Sequence, residues 1–355
     1  MARVVVLGAG VMGSAMTVPA AACGHDIALV GTHLDEAIVA SVAGNGYHPN
    51  LKLTLPEAVK AHRWTEFGTI MADSPDLLII GVSSAGVEWA IDRLAEAMTA
   101  PCPVLMITKG MMVTDDGLGA LPLHVAGALE ERLGFAVPVM AVAGPAIAGE
   151  QAAGRRTSVV FTGRDPAQTA AIMALLQTPD YQLRYSADIV GVEICAAFKN
   201  FYALGVGTAA GVMETAPETP NAAKMFNLAA SLFTQALTEL AILVETHGGD
   251  PASVHGLPGS GDLYVTCMAG RNSRMGRLLG LGLPYSKAKA EHMAADTVEG
   301  AELALATGPA LRRMFASGRL DEARMPLTAA IIDAVCDDAP FDPDWTRLHD
   351  GAPST

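Results

Sequence analysis

The sequence predicts an α/β chain in which a doubly wound parallel sheet comes first and an all-helical domain follows. Three observations carry this. Short β-branched runs alternate with alanine-rich stretches of helical length, a glycine-rich turn follows the first run, and strand signals vanish after about Ser186. The runs at 4–7, 27–30, 77–82, 104–107, 139–142 and 158–161 are almost wholly apolar, as strands buried on both faces are. Later in the chain, leucine and alanine recur at helical spacing, and 228–246 and 288–306 read as helices. Residues 213–224 (METAPETPNAAK) are rich in proline and threonine and read as a loop. The expected domains are 1–188 for the sheet and 189–340 for the helices. Residues 341–355, acidic and proline-broken, are expected to form a loose tail.

Composition narrows the function classes. A chain of 355 residues with 51% apolar and 17% charged residues can build two cores and is not a disordered segment. A net charge of −14 argues against a nucleic-acid partner, and an anionic small substrate would need a local cationic pocket. The five cysteines (Cys23, Cys102, Cys195, Cys267, Cys336) form no CxxC pair, which favours free thiols in a reducing, cytoplasmic compartment. The nine histidines show no ligand spacing, so no metal is expected. The N-terminus reads directly as strand and turn, without a signal peptide. Mean hydropathy is high at +0.33. The longest apolar run nevertheless holds Glu193 and Lys199, so no membrane span is expected.

The turn after the first strand is Gly8-x-Gly10-x-x-Gly13, and a helix rich in small residues follows it. Gly8 permits the tight turn, Gly10 lets the backbone approach a pyrophosphate, and Gly13 allows close helix–strand packing. The free N–H groups and dipole of that helix would hold the phosphates. Strand, turn, helix and second strand together predict a Rossmann-type dinucleotide site, with Gly8, Gly10, Val11, Met12 and Gly13 as its phosphate loop. The second strand ends on Gly31-Thr32-His33, where an acid for NAD or an arginine for NADP is usual. Neither stands there, and Asp35 lies too far along to be an obvious ribose ligand. The expected cofactor is NAD or NADP, with a slight lean to NAD.

Lys199 and Asn200 stand in 191–211, a run otherwise apolar apart from Glu193. A buried ammonium needs a partner or gives up its proton, and burial can poise a lysine for proton transfer near neutral pH. The alternative is a lysine at a helix edge with its head in water. Cys195 lies one helical turn earlier and reads as a small core residue. His255 reads as structural. Asp262 sits in a GSGD turn, a common place for an ordinary turn aspartate.

Several further pieces recur in a fixed order. They are Thr108-Lys109-Gly110, Ala143-Gly144-Pro145, the Lys199 segment, Gly256-Leu-Pro-Gly-Ser-Gly-Asp262-Leu-Tyr-Val-Thr266-Cys267, Arg271-Asn272, Val298-Glu299-Gly300 and Met325-Pro326-Leu327. With GAGVMG at the start and NLKLTLP at 50–56, the chain resembles the NAD(P)-dependent glycerol-3-phosphate dehydrogenase family from about residue 3 to 335. The resemblance implies a second domain like that of 6-phosphogluconate dehydrogenase, a cytoplasmic homodimer, and hydride exchange between nicotinamide and C2 of dihydroxyacetone phosphate. It implies Lys199 as general acid and base, with Asp262 orienting it and Lys109 between cofactor and substrate. It gives Gly144, Thr266, Arg271 and Asn272 to the substrate, Arg271–Asn272 being the phosphate pair. It gives Thr32, His33, Lys109, Ala148, Arg271 and Glu299 to the cofactor side.

The departures from the family pattern cluster around the substrate. Ala146 replaces a serine or threonine, Gly149 a lysine, Gly270 a serine, Ala229 a lysine and Gln235 an arginine, and 213–224 is longer than the family's turn. Fewer phosphate donors leave open a dehydrogenase of another polyol or ketose phosphate. A non-catalytic dinucleotide sensor is a further alternative.

Overall fold

The computed structural model describes residues 1–115, 117–268 and 270–348, and they divide into two compact units. The first unit comprises 1–109 and 120–189, and the second 110–119 and the chain from 190 onward. Residues 349–355 of the expected loose tail lie outside the described residues.

The first unit is built on β1 (Arg3–Leu7), α1 (Val11–Ala22), β2 (Asp26–Val30), α2 (Glu36–Asn45), the small hairpin β3 (Tyr47–His48) and β4 (Leu53–Thr54), and β5 (Val59–His62). Then come α3 (Phe67–Met71), β6 (Leu77–Ile80), α4 (Val87–Ala97) and β7 (Val104–Met106). The hairpin β8 (Met111–Thr114) and β9 (Gly117–Ala120) follows, and residues 110–119 belong to the second unit. The first unit resumes with α5 (Leu121–Leu133), β10 (Val139–Ala143), α6 (Ala148–Ala152), β11 (Thr157–Thr162), α7 (Pro166–Leu176) and β12 (Tyr181–Ser186).

The sheet order is β12-β11-β10-β7-β6-β1-β2-β5. All its pairings are parallel except β10 with β11. All six expected strands are present, each within two residues of its expected ends. β5 and β12 carry weaker signals, and both are edge strands. An edge strand faces water, so VKAH and YQLRYS carry polar residues along their length, whereas the inner strands keep theirs at the ends of a continuous apolar stretch.

The second unit holds α8 (Ile189–Thr215), α9 (Phe226–Thr246), α10 (Asp262–Met268), α11 (Arg271–Gly280), α12 (Tyr285–His292), α13 (Glu299–Ala316) and α14 (Pro326–Cys336). Two details differ from the sequence reading. α8 continues through Thr215, so the loop expected over 213–224 begins later. The helix expected over 288–306 is broken between α12 and α13. The break is a tight turn, in which Asp296 N donates to Met293 O at 3.0 Å. Gly300 N, in the first turn of α13, donates to the Asn272 side chain at 2.9 Å instead of to a preceding helical turn.

α8 and α9 are long and apolar enough to cross a membrane by length and composition, each at mean hydropathy 1.4. The apolar window of α8 is 94% buried within the protein, which is the setting of a core helix. Phe198, Phe201 and Tyr202 on it are fully buried and stack against one another. α11 lies on α8 with backbones touching. A Cβ at Gly276 would come within 2.1 Å of Leu204 O, and one at Gly280 within 2.1 Å of Thr208 O.

Glu239 on α9 is fully buried and caps α14. It accepts from Leu327 N at 2.8 Å, Thr328 N at 2.7 Å, the Thr328 hydroxyl at 2.6 Å and Gln235 Nε2 at 2.7 Å. Burial pushes its carboxyl up to about 7, against the pull of those donors. Glu239→Ala leaves two backbone N–H groups without an acceptor, and is expected to cost about 3 kcal/mol or more in urea unfolding. A loss below about 1 kcal/mol would contradict this capping role.

His247 ties β9 to the end of α9. Its Nε2 accepts from Leu118 N at 3.3 Å while Nδ1 donates to Leu243 O at 2.7 Å, so the ring is neutral. Burial holds its pKa below the usual histidine value. The unfolded chain therefore binds this proton more readily than the folded one. The stability from this residue is full above about pH 6.5 and is lost as pH falls through the lower folded value. Amide exchange at Leu118, corrected for its intrinsic rate, should accelerate on acidification from about pH 8 to 5. A pH-independent protection factor would show that the imidazole does not hold the hairpin.

Candidate active site

The first unit offers a cofactor cradle. β1 is buried and ends at Gly8, which sits at φ +113° with Gly81 so close that a Cβ would meet it at 2.7 Å. A Cβ at Gly13 would come within 2.2 Å of Gly8 O, so α1 can start there only on glycine. The third glycine, Gly10, has open space where its Cβ would be. No side chain caps the N-terminus of α1, which begins at Val11 and Met12, so its dipole faces outward. These features fit a pyrophosphate. When bound, NAD or NADP supplies the hydride donor and acceptor that side chains lack.

The same unit brings Lys109 and Gly144 together. Both line a small apolar cavity with Met12 and Ala146. Lys109 is half-buried and follows Thr108, whose hydroxyl donates to Val82 O at 2.7 Å. Gly144 ends β10 at φ +132°, and Ala148 opens α6. Thr32 is half-buried, while His33 is exposed with its ring 5.8 Å from that of Trp89.

The second unit holds a buried ion pair. Lys199 Nζ donates to Asp262 Oδ1, with the two side chains 9% and 1% exposed. Asp262 is the first residue of α10 and follows a wide π-type turn, Leu257–Gly261, in which Gly261 N donates to Gly256 O at 3.2 Å and which packs so closely on Val254 that only glycine fits at 259. The hydroxyl of Thr266 donates to Asp262 O at 2.7 Å, one helical turn back.

Next to the pair runs a second network. Asn272 Nδ2 donates to Asn200 Oδ1 at 2.9 Å, and Asn200 Nδ2 donates to Glu299 Oε2 at 2.9 Å. Glu299 Oε1 meets Arg271 Nη2 at 3.4 Å, with both side chains about half exposed. Lys199, Asp262, Arg271, Asn272 and Glu299 thus belong to one unit, and Asn200 links the last three. Asn200 carried no signal in the sequence beyond its place beside Lys199.

The positions that depart from the family pattern fall into distinct places. Gln235 is buried against Glu239. Ala229 and Gly270 line a groove of about 880 Å3 in the second unit, together with Met213, Phe226, Phe233 and Tyr264. Cys267 is half-buried, and burial pushes its thiol up to about 12, so it is not a nucleophile. Cys195 is fully buried. Among the described residues no group of three His, Cys, Asp or Glu side chains could hold a metal.

Known proteins match both units. Residues 3–169 match the model of the NAD-dependent glycerol-3-phosphate dehydrogenase N-terminus, and 188–343 that of its C-terminus. The NADP(+)-dependent glycerol-3-phosphate dehydrogenase of Archaeoglobus fulgidus is 31% identical over 83% of this chain and 85% of its own. The chain belongs to the NAD(P)-dependent glycerol-3-phosphate dehydrogenase family. The glycerol-3-phosphate dehydrogenase [NAD(P)+] of Aromatoleum aromaticum is 30% identical over 96% of this chain and 95% of that one. The solved glycerol-3-phosphate dehydrogenase of Coxiella burnetii superposes with TM-score 0.78 at 24% identity, over 99% of each chain, and so shares the fold. The family cofactors are NAD and NADP, and both fit the cradle formed by Gly8, Gly10 and Gly13.

Proposed function

We propose that this chain is a glycerol-3-phosphate dehydrogenase that interconverts dihydroxyacetone phosphate and sn-glycerol 3-phosphate, using NAD or NADP. The observation that carries this is the ammonium of Lys199, buried in an apolar helix and paired with Asp262. Hydride arrival at a carbonyl carbon leaves charge on the oxygen, which must be stabilised and protonated. Lys199 Nζ has the proton for that oxygen, and in the reverse direction it takes the proton from the hydroxyl. Asp262 fixes the direction of Nζ and is the counter-charge when the amine is protonated.

Arg271 supplies a forked, permanently charged donor set for the substrate phosphate, and Asn272 an amide beside it. Asn200 and Glu299 hold that pair in place through the bonds described above. Gly144 and Thr266 are assigned to the substrate side. Lys109 adds positive charge on the first unit, where Gly8, Gly10, Val11, Met12 and Gly13 are assigned to the dinucleotide phosphates and Thr32, His33 and Ala148 to its flanks. The relatives named above support the three-carbon substrate over a larger polyol phosphate. The family resemblance also supports a homodimer acting in the cytoplasm.

The test is oxidation of NADH and NADPH in the presence of dihydroxyacetone phosphate. Absence of turnover with either cofactor would remove the assignment. Lys199→Ala should lower kcat by about a hundred- to ten-thousand-fold while dinucleotide binding survives. Near-normal kcat in that variant would refute the role given to the amine. Arg271→Ala should raise KM for dihydroxyacetone phosphate by about tenfold or more, with a smaller effect on kcat. An unchanged KM would take Arg271 out of the phosphate site.

A further inference from the structure

A dinucleotide-binding βαβ unit usually ends its second strand on an acid that accepts the ribose hydroxyls. Here β2 ends at Val30, and the next residue is Gly31. A side chain has no room there. A Cβ at Gly31 would lie 2.4 Å from Val39 Cγ2 and 3.1 Å from the Cβ of Asp35. The space beside the strand end is thus occupied by Asp35, reaching back from the residue before α2.

The Asp35 carboxylate is fixed in that place. Its Oδ2 accepts from Thr32 N at 2.8 Å, the Thr32 hydroxyl at 2.8 Å and Ala9 N at 3.2 Å. Ala9 lies between Gly8 and Gly10, so the carboxylate bridges the phosphate loop and the end of the second strand. Oδ1 has no hydrogen-bond partner among the described residues and can accept from a ligand. Two histidines stand beside the strand end, His33 in the loop after it and His62, whose O accepts from Gly31 N at 3.0 Å. His62 Nδ1 lies 3.5 Å from Glu66 Oε1, and the Glu66 carboxyl is held below its usual value by the Arg63 backbone N–H and by the His62 and Arg63 charges. His33 rests edge-on against Trp89.

We propose that Asp35 is the ribose acid of this site, supplied from residue 35 instead of residue 31, and that it selects NAD(H) over NADP(H). Its Oδ1 accepts a hydroxyl of the adenosine ribose. A 2′-phosphate would bring negative charge against a carboxylate that three donors hold in place. This inference rests on the dinucleotide-dependent reading above, and it separates two cofactors which that reading leaves equal.

The test is equilibrium titration of the purified full chain with NADH and with NADPH, read by quenching of tryptophan fluorescence, with no substrate present. The wild type should bind NADH about tenfold or more tightly than NADPH. Asp35→Ser should narrow that gap to about threefold or less by weakening NADH and strengthening NADPH. Asp35→Asn keeps the shape and an acceptor oxygen for Thr32 and Ala9, and should narrow the gap by strengthening NADPH. It decides the matter if the serine variant melts early. Equal affinities in the wild type, or an unchanged gap in a folded variant, would overturn the assignment. Failure of the wild type to bind either nucleotide would instead remove the dinucleotide reading, and this inference with it.

Discussion

One ammonium buried in an apolar helix sets the conditions for the second unit. Lys199 and Asp262 are 63 residues apart, yet each removes the other's need for water. Two charges in an interior are not a source of great stability, because desolvation offsets most of their attraction. Removing one member of a buried pair is another matter, and typically costs about 3–5 kcal/mol. The pair therefore ties the register of α8 to the first residue of α10. The wide turn at Leu257–Gly261 leads directly into Asp262, which is buried.

Away from that pair the site becomes progressively less fixed. Asn200 and Asn272 are buried and bonded to each other, with Gly300 N closing the amide chain. Glu299 and Arg271 at the far end are about half exposed, and their contact is longer, 3.4 Å. An exposed contact of that kind contributes little stability. The Lys199–Asp262 pair is buried, and the Arg271–Glu299 contact lies near the surface.

The sequence made the centre of the sheet legible because strands buried on both faces need a continuous apolar stretch, and β1, β2, β6, β7, β10 and β11 each contain one. β5 and β12 were less visible because edge strands carry polar residues. The break between α12 and α13 was not visible at all. There Gly300 N is bonded to the Asn272 side chain of another helix, a long-range contact that the local sequence does not announce. In the site, Lys199 stood out because a charge in an apolar run is anomalous on its face. Asn200 did not, since an asparagine in a helix is ordinary locally, and Asp35 reads in the sequence as too far past the strand end to be an obvious ribose ligand. Their meaning lies in bonds to Glu299 and to Ala9, which only the folded chain makes.

The contact between α8 and α11 has a consequence for how this enzyme can diverge. At Gly276 and Gly280 the two helices already touch main chain to main chain, so they cannot draw nearer, and a bulkier residue at either position would prise them apart. Arg271 and Asn272 begin one of these helices, and Lys199 and Asn200 lie along the other. Their spacing is thereby pinned to a mechanical stop. Divergence here must then be written in exchangeable side chains around the rim, because the scaffold between Lys199 and Arg271 has no slack to give.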